Sequence, residues 1–218
     1  PGSARVVDSF GRLPMHIAVD RDEPWVQVIC NLIDAYPEAL QTRDSSSRLP
    51  LHIAVDRPKP VIDVVRLLVK LYPKAVTSRR GVGRLPIHYA VFFEQPSTEI
   101  LECLLSANPK TSRIEDVYGR LPLHYAVDKN NSNVGIISQL LKAYRRGAAA
   151  RDSQGRLALN IALDRDGSQI NVSVVRELCQ AYSRALEEPS PTTGKTPLHT
   201  VVEDSDTSES CVYWLTKV

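Results

Sequence analysis

The sequence predicts an all-α solenoid of six helix-turn-helix repeats. The prediction rests on a nine-residue stretch that recurs along the chain and on the spacing of its copies. The copies are GRLPMHIAV from Gly11, SRLPLHIAV from Ser47, GRLPIHYAV from Gly83, GRLPLHYAV from Gly119, GRLALNIAL from Gly155 and a weaker GKTPLHTVV from Gly194. The first four steps are 36 residues each and the last is 39. A fixed period of this size indicates supersecondary units that bury their apolar faces against their neighbours.

A polar turn precedes each copy of the stretch. Four turns begin with aspartate: Asp8, Asp44, Asp116 and Asp152. Aspartate binds its own backbone in turns, and the glycine that follows in most repeats accepts a positive φ. We therefore expect turn tips that resemble β-hairpins.

Two helices follow each turn. The Leu-Pro pair begins a short first helix. Proline is favoured in the first turn because the N–H group that it lacks would have no partner within the helix. The second helix carries apolar residues at helical spacing, as in Val64, Val65, Leu68 and Leu71. It ends at Tyr36-Pro37 in the first repeat, since the residue before proline is driven out of the helical region. Tyr-Pro or an equivalent pair ends the other second helices.

The repeats are predicted to form one domain over residues 1–218. Their approximate bounds are 8–43, 44–79, 80–115, 116–151, 152–190 and 191–218, the last repeat being incomplete. Neither end carries the polar face of a dedicated capping repeat, so we expect the chain to be a piece of a longer protein.

The pattern G-x-[T/L]-P-L-H-x-A, with a turn before it and a longer helix after it, resembles the ankyrin repeat. Two departures stand out. The family has threonine before the proline, where this chain has Leu13, Leu49, Leu85, Leu121 and Leu157, with only Thr196 conforming. Tyr-Pro replaces the family's Gly-Ala after the second helix. The resemblance implies protein–protein recognition on a concave surface, to which the turn tips and the residue after the motif glycine contribute.

Composition excludes several classes of function. A net charge of +2 is no signature of polyanion binding, and no apolar run reaches the length of a membrane span. The four cysteines have no shared spacing and favour a reducing compartment, the cytoplasm or the nucleus. No nucleophile, carboxylate pair or metal-ligand spacing stands outside the repeat pattern. We expect neither catalysis nor a cofactor nor a metal.

All five histidines occupy one repeat position: His16, His52, His88, His124 and His199. Packed helices lie about 8–10 Å apart, which separates equivalent side chains too far to share one zinc ion at about 2.1 Å from each nitrogen. In the ankyrin family this histidine binds backbone between adjacent turns. We interpret the five histidines as structural.

Two charged rows run through the repeats. The basic row follows the motif glycine and contains Arg12, Arg48, Arg84, Arg120, Arg156 and Lys195. The acidic row lies eight residues later and contains Asp20, Asp56, Asp128, Asp164 and Glu203. The simplest interpretation is that ion pairs between repeats neutralise the rows. Exposed pairs of this kind contribute only about 0–1 kcal/mol.

The third repeat breaks the acidic row and changes the turn before the basic row. Its turn contains Arg79, Arg80 and Val82 where other repeats have aspartate, and Phe92 and Phe93 replace the acidic and basic residues at the end of its first helix. Contact centres favour aromatic residues and arginine. The hypothetical partner-binding residues are Arg79, Arg80, Val82, Arg84, Phe92, Phe93, Tyr118 and Arg120. An alternative of equal weight folds the two phenylalanines down as local core.

The sequence thus predicts a non-catalytic scaffold that binds another protein on its concave face. Arginines without their usual aspartate partners favour an acidic or phosphorylated partner. Two alternatives stay open: a regulatory or targeting region of a larger enzyme, and a binder of anionic ligands through the basic row. Because the acidic row runs beside the basic row, nucleic acid ranks last.

Overall fold

The computed structural model describes residues 2–93, 96–128, 132–164 and 170–203. Within these ranges the chain forms eleven α-helices and no strand. The predicted all-α class of paired helices is therefore confirmed for the described residues.

Short and long helices alternate along the chain. The first helices of the repeats are α1 (Pro14–Val19), α3 (Pro50–Val55), α5 (Pro86–Ala90), α7 (Pro122–Val127), α9 (Ala158–Leu163) and α11 (Pro197–Glu203). The second helices are α2 (Val26–Ala35), α4 (Ile62–Leu71), α6 (Thr98–Ala107), α8 (Val134–Ala143) and α10 (Val172–Ala181).

A leucine in extended conformation precedes each of the first five first helices. Leu13 is buried, and its N–H donates to Nδ1 of His16 at 3.0 Å. The histidine side chain thereby accepts the bond that caps the helix start, and leucine can replace the threonine that the family uses. In the sixth repeat the Thr196 hydroxyl instead lies 2.6 Å from Nδ1 of His199.

The second helices end as the sequence predicts. Tyr36 and Tyr72 follow α2 and α4 with φ near −154° and −136°, and each leads into a 3-10 turn that begins with proline. Tyr144 leads into the same kind of turn, Arg145–Ala149, without proline. The tyrosine exit therefore does not require the Tyr-Pro pair.

Backbone hydrogen bonds close the turn tips. In the first repeat Asp8 N–H donates to the Arg12 carbonyl at 3.0 Å, and in the third repeat Arg80 and Arg84 exchange both backbone bonds, at 2.8 and 3.0 Å. A residue with positive φ ends the turn. It is glycine in most repeats, but Ser47, with φ 60°, takes this place in the second. The predicted hairpin-like geometry is present as isolated bridges.

Packing of the backbone divides the chain into two compact units, Pro1–Thr111 and Ser112–Val218. In the first unit α1 packs against α3 and α3 against α5, and α4 packs against α6. In the second unit α7 packs against α9 and α9 against α11, and α8 packs against α10. Within each unit the repeats stack as neighbours, and one domain over residues 1–218 stays a prediction.

Substitution of Gly119 tests how closely successive turn tips approach. Its φ is +66°, and a Cβ there would lie 3.0 Å from the backbone nitrogen of Ser153. Gly155 has φ +76° but meets only the Pro191 side chain, at 3.7 Å. We expect Gly155→Ala to cost about 1 kcal/mol from the left-handed backbone alone, and Gly119→Ala at least about 2 kcal/mol. Urea unfolding of both variants measures the difference, and equal losses would refute the close approach.

Candidate partner-binding surface

The turn aspartates hold the basic row in place. Oδ1 of Asp8 accepts the N–H groups of Phe10 and Arg12, both at 2.9 Å, and Oδ2 accepts Nε of Arg12 at 2.8 Å. The equivalent pairs are Arg48–Asp44 and Arg156–Asp152. In these repeats the basic row therefore pairs with its own turn. The expected pairing between rows of neighbouring repeats is wrong here, because the closed turn brings residues four apart into direct contact.

Hydrogen bonding also sets the protonation of the turn aspartates. Burial by itself would raise the pKa of Asp44, but bonds from the backbone and guanidinium of Arg48 lower it below its usual value. The pKa of Asp152 is lowered in the same way by Arg156. Both carboxylates are therefore charged at neutral pH, and the arginines bound to them are neutralised.

Ion pairs between neighbouring repeats do occur at other positions. They are Arg57–Asp22, Arg80–Asp56, Arg120–Asp152 and Arg151–Glu188. Arg80 Nη1 lies 2.8 Å from Oδ2 of Asp56, and Arg120 lies 3.5 Å from Asp128. The expectation that Arg80 and Arg120 lack acidic partners is therefore wrong. The acidic row supplies those partners, while the turn aspartate is replaced in the third repeat and accepts the Tyr125 hydroxyl in the fourth.

Arg80 takes the turn aspartate's position in the third repeat, and two contacts fix it there. Besides its ion pair with Asp56, its guanidinium lies 5.0 Å from the centre of the Tyr89 ring. Tyr89 is itself buried and packs edge-on against His52. A guanidinium held over an aromatic face and against a carboxylate loses little freedom on binding a further group.

A second set of arginines precedes the turns. We name Arg43, Arg79 and Arg151 the pre-turn arginines; the sequence analysis singled out Arg79 and missed Arg43 and Arg151. Each donates from Nη1 to the carbonyl of the residue with positive φ, at 2.6, 2.9 and 2.7 Å respectively. Arg43 also donates to the carbonyl of Arg79 at 3.1 Å. Recurrence at the repeat spacing could have revealed the set.

Two pre-turn arginines and Arg80 line a shallow depression at the second and third turn tips. Its volume is about 280 Å³, and its lining consists of Arg43, Ser47, Arg79, Arg80 and Gly81. We name it the third-turn depression. Its lining contains three guanidinium groups and no carboxylate, so the concavity is basic.

The predicted partner-binding residues of the first unit fall into two groups. Arg79, Arg80, Val82 and Arg84 share the third turn, where Arg79 is exposed and the others are half-buried. Phe92 and Phe93 follow α5, with their ring centres 6.1 Å apart and edge to face. Phe92 is 41% exposed and Phe93 is half-buried. The pair thus has one outward ring and one partly covered ring.

The remaining predicted residues lie at the fourth turn tip, in the second unit. Tyr118 is 48% exposed, and Arg120 is half-buried with its guanidinium 5.5 Å from the centre of the Tyr125 ring. The first turn tip carries an aromatic residue at the position of Tyr118. This residue, Phe10, is 64% exposed and was absent from the sequence-based set. The 36-residue register would have found it.

The histidines of the first, second and fourth repeats bind backbone through both ring nitrogens. Nδ1 of His52 accepts the Leu49 N–H at 3.2 Å, and Nε2 lies 3.0 Å from the Ser78 carbonyl, to which it donates. His16 and His124 have the same two contacts. Asn160 stands at this position in the fifth repeat and accepts the Leu157 N–H at 2.8 Å. His199 is exposed.

Burial keeps these rings neutral. It lowers the pKa of His16 and His124, and it is the main reason why the pKa of His52 falls to about 4. The positive charges of Arg43 and Arg80 lower the pKa of His52 further. The pKa of His52 is therefore sensitive to the positive charges of the third-turn depression.

The described residues contain no group of three or more histidine, cysteine or acidic side chains that could hold a metal ion. Among them, no helix combines the length and the apolar character needed to cross a membrane. Cys30 and Cys103 are free thiols.

Replacing His52 by asparagine, as repeat five does naturally, tests the neutral ring. Between about pH 6.5 and pH 4 the unfolded chain binds a proton at His52 and the folded chain does not. In this range each unit by which the pH is lowered therefore reduces the free energy of unfolding by about 1.4 kcal/mol. We expect His52→Asn to reduce the slope between pH 6 and 4.5 by about that amount, measured by urea unfolding. His199→Asn, at an exposed position, is the control and should leave the slope unchanged. An unchanged slope in His52→Asn would contradict the neutral buried ring.

Comparison with known proteins agrees with this geometry. The family model described as Ankyrin repeats (3 copies) matches residues 87–186, which run from α5 to the 3-10 turn after α10. A search of curated proteins finds no match to the chain. Ankyrin repeats generally serve as protein–protein interaction modules and are typically non-catalytic. Over residues 87–186 the chain is therefore similar to ankyrin repeats, in agreement with the repeated turn and with the Leu-Pro start of most first helices.

Proposed function

We propose that the chain is a non-catalytic scaffold that binds a partner protein on its concave face. Within the first unit, the proposed contact surface consists of Arg79, Arg80, Val82, Arg84 and the Phe92–Phe93 pair. The observation that carries the proposal is the pair itself, because an exposed phenylalanine stands where most repeats have a charged residue.

The chemistry of this surface suits a contact centre. Interface hot spots are enriched in aromatic residues and arginine, and they need an apolar body that loses water on contact. The outward ring of Phe92 supplies that body, and Phe93 packs against its edge and limits its motion. In the family arrangement, turn tips and the ends of first helices face the concave surface, which is where these residues lie in the repeat.

Tyr118 and Arg120 belong to the same proposal but to the second unit. Tyr118 is an exposed aromatic residue at a turn tip, and Arg120 is held by Asp128 and by the Tyr125 ring. Their contribution can be tested separately, because Tyr118→Ala changes no residue of the first unit.

The proposed compartment is the cytoplasm or the nucleus. Cys30 and Cys103 are free thiols, and burial raises the pKa of the Cys103 thiol, which makes it less reactive. Free thiols are typical of proteins in a reducing environment. No cofactor is part of the proposal.

Alanine at Phe92 and Phe93 tests the surface. We expect Phe92→Ala to lower capture of specific partners by on the order of tenfold, because truncating a hot-spot aromatic residue costs more than about 1 kcal/mol of binding. Stability should change by less than about 1.5 kcal/mol, well below the roughly 3–5 kcal/mol of a Phe→Ala substitution in a core, since Phe92 is 41% exposed. The measurement is quantitative mass spectrometry of proteins retained by immobilised wild-type and variant chains, with thermal unfolding in parallel. The double variant with Phe93→Ala should weaken capture further.

Trp25→Ala provides the matched control. Trp25 is an aromatic residue in the first repeat, 62% exposed and stacked with Arg21, and it lies outside the proposed surface. Its truncation should leave capture unchanged. A large fall in melting temperature in Phe92→Ala would support the local-core alternative, and equal capture by all variants would refute the proposed surface.

A further inference from the structure

We propose that the third-turn depression binds a phosphate group carried by a phosphorylated side chain of the partner protein. The inference rests on the proposed function in one respect, namely that the molecule carrying the phosphate is a partner protein. The site itself is built from Arg43, Ser47, Arg79, Arg80 and Gly81, of which Arg43, Ser47 and Gly81 were not among the sequence-predicted residues.

Arg43 presents a donor pair to the depression. Its two hydrogen bonds, to the carbonyls of Ser47 and Arg79, both use Nη1. Within the described part of the chain its Nε and Nη2 groups have no acceptor. These two nitrogens form one edge of the guanidinium, and that edge binds two oxygens of a phosphate side by side. The backbone contacts position the group without neutralising it, because both acceptors are uncharged carbonyls.

Arg80 is similarly positioned. It reaches Asp56 through Nη1 alone and lies over the Tyr89 ring. Its Nε and Nη2 groups have no hydrogen-bond acceptor among the described residues. Asp56 neutralises one charge, but Arg43 binds only uncharged carbonyls, and no carboxylate lines the depression. The positive charge that remains favours an anion.

Backbone N–H groups add further donors. In the first and fifth repeats, the turn aspartate accepts the N–H group of the residue two positions later. Neighbouring turns are joined by backbone bonds, from the Ser45 N–H to the Phe10 carbonyl and from the Ser153 N–H to the Tyr118 carbonyl. At the third turn, among the residues that the structure describes, the N–H groups of Gly81 and Val82 have no such acceptor. Successive N–H groups in a turn form a concavity that favours anions.

Size and charge pattern favour a phosphate on a protein over a nucleic acid. The volume of about 280 Å³ falls just below the roughly 300–1,000 Å³ of small-molecule sites, which suits one group of a larger ligand. A nucleic acid needs a basic track, but turn aspartates neutralise the basic row in repeats one, two and five. The basic row therefore does not form a continuous track of unpaired charge.

Titration with inorganic phosphate tests the site directly. We expect saturable shifts of the Gly81 and Val82 amide signals and of the Arg43 and Arg80 Nε–H signals in nitrogen-15 correlation spectra. The expected dissociation constant is about 1 mM, measured against sodium chloride at equal ionic strength. O-phosphoserine should reproduce the shifts, and serine should not.

Three substitutions separate the site from general charge. Arg43→Gln should weaken phosphate at least fivefold. Arg80→Asp restores the turn residue of the other repeats, so it should fold normally, and it should abolish the saturable shifts. Arg151→Gln is the matched control: Arg151 makes the same turn contact but pairs with Glu188, and its loss should change the dissociation constant by less than twofold. No saturable shift in the wild-type chain, or equal weakening in Arg151→Gln, would overturn the site.

Partner capture distinguishes this inference from the scaffold function. If the inference holds, phosphatase treatment of the lysate and Arg80→Asp should remove the same captured proteins, which Phe92→Ala also weakens. Sensitivity to Phe92→Ala without sensitivity to phosphatase would overturn the phosphorylated carrier and leave the scaffold function standing. Retention of single-stranded RNA that depends on Arg43 and Arg80, with no retention of a phosphoserine peptide, would likewise overturn it.

Discussion

The turn aspartate is the interaction on which each ordinary repeat depends. One carboxylate accepts two backbone N–H groups of the turn and, in repeats one, two and five, the guanidinium of the following arginine. The turn therefore fixes the start of the first helix and neutralises the basic row in one step. Where aspartate is missing, at Arg80, backbone bonds with Arg84 close the turn, and a basic concavity lies beside it.

Much of the fold could be predicted from the sequence because it depends on local chemistry repeated at one period. The Leu-Pro start, the glycine with positive φ and the tyrosine exit each reflect the conformational preference of one or two residues. The helix bounds follow those preferences closely. The structural role of the buried histidines could also be predicted, since all histidines occupy the same position of the repeat.

The candidate site was harder to predict because it depends on which of several nearby carboxylate or carbonyl groups each arginine binds. The sequence places Arg12 near two aspartates, one four residues before it and one eight residues after it, and nothing in the period ranks them. The closed turn makes the first pairing, and the sequence-based rows assumed the second. Arg43 was missed for a related reason: its partners are carbonyl groups, which a sequence does not distinguish.

The exchange of two backbone bonds between Arg80 and Arg84 has a consequence for how such a chain diversifies. The third turn is closed by its main chain, so the side chain at residue 80 is not required to hold the turn together. The residue type at such a position can change while the adjoining repeat stays folded. Because every repeat shares the same register, the same exchange at another turn would move a basic concavity along the array. The array can therefore keep its architecture while the charge of one turn tip changes.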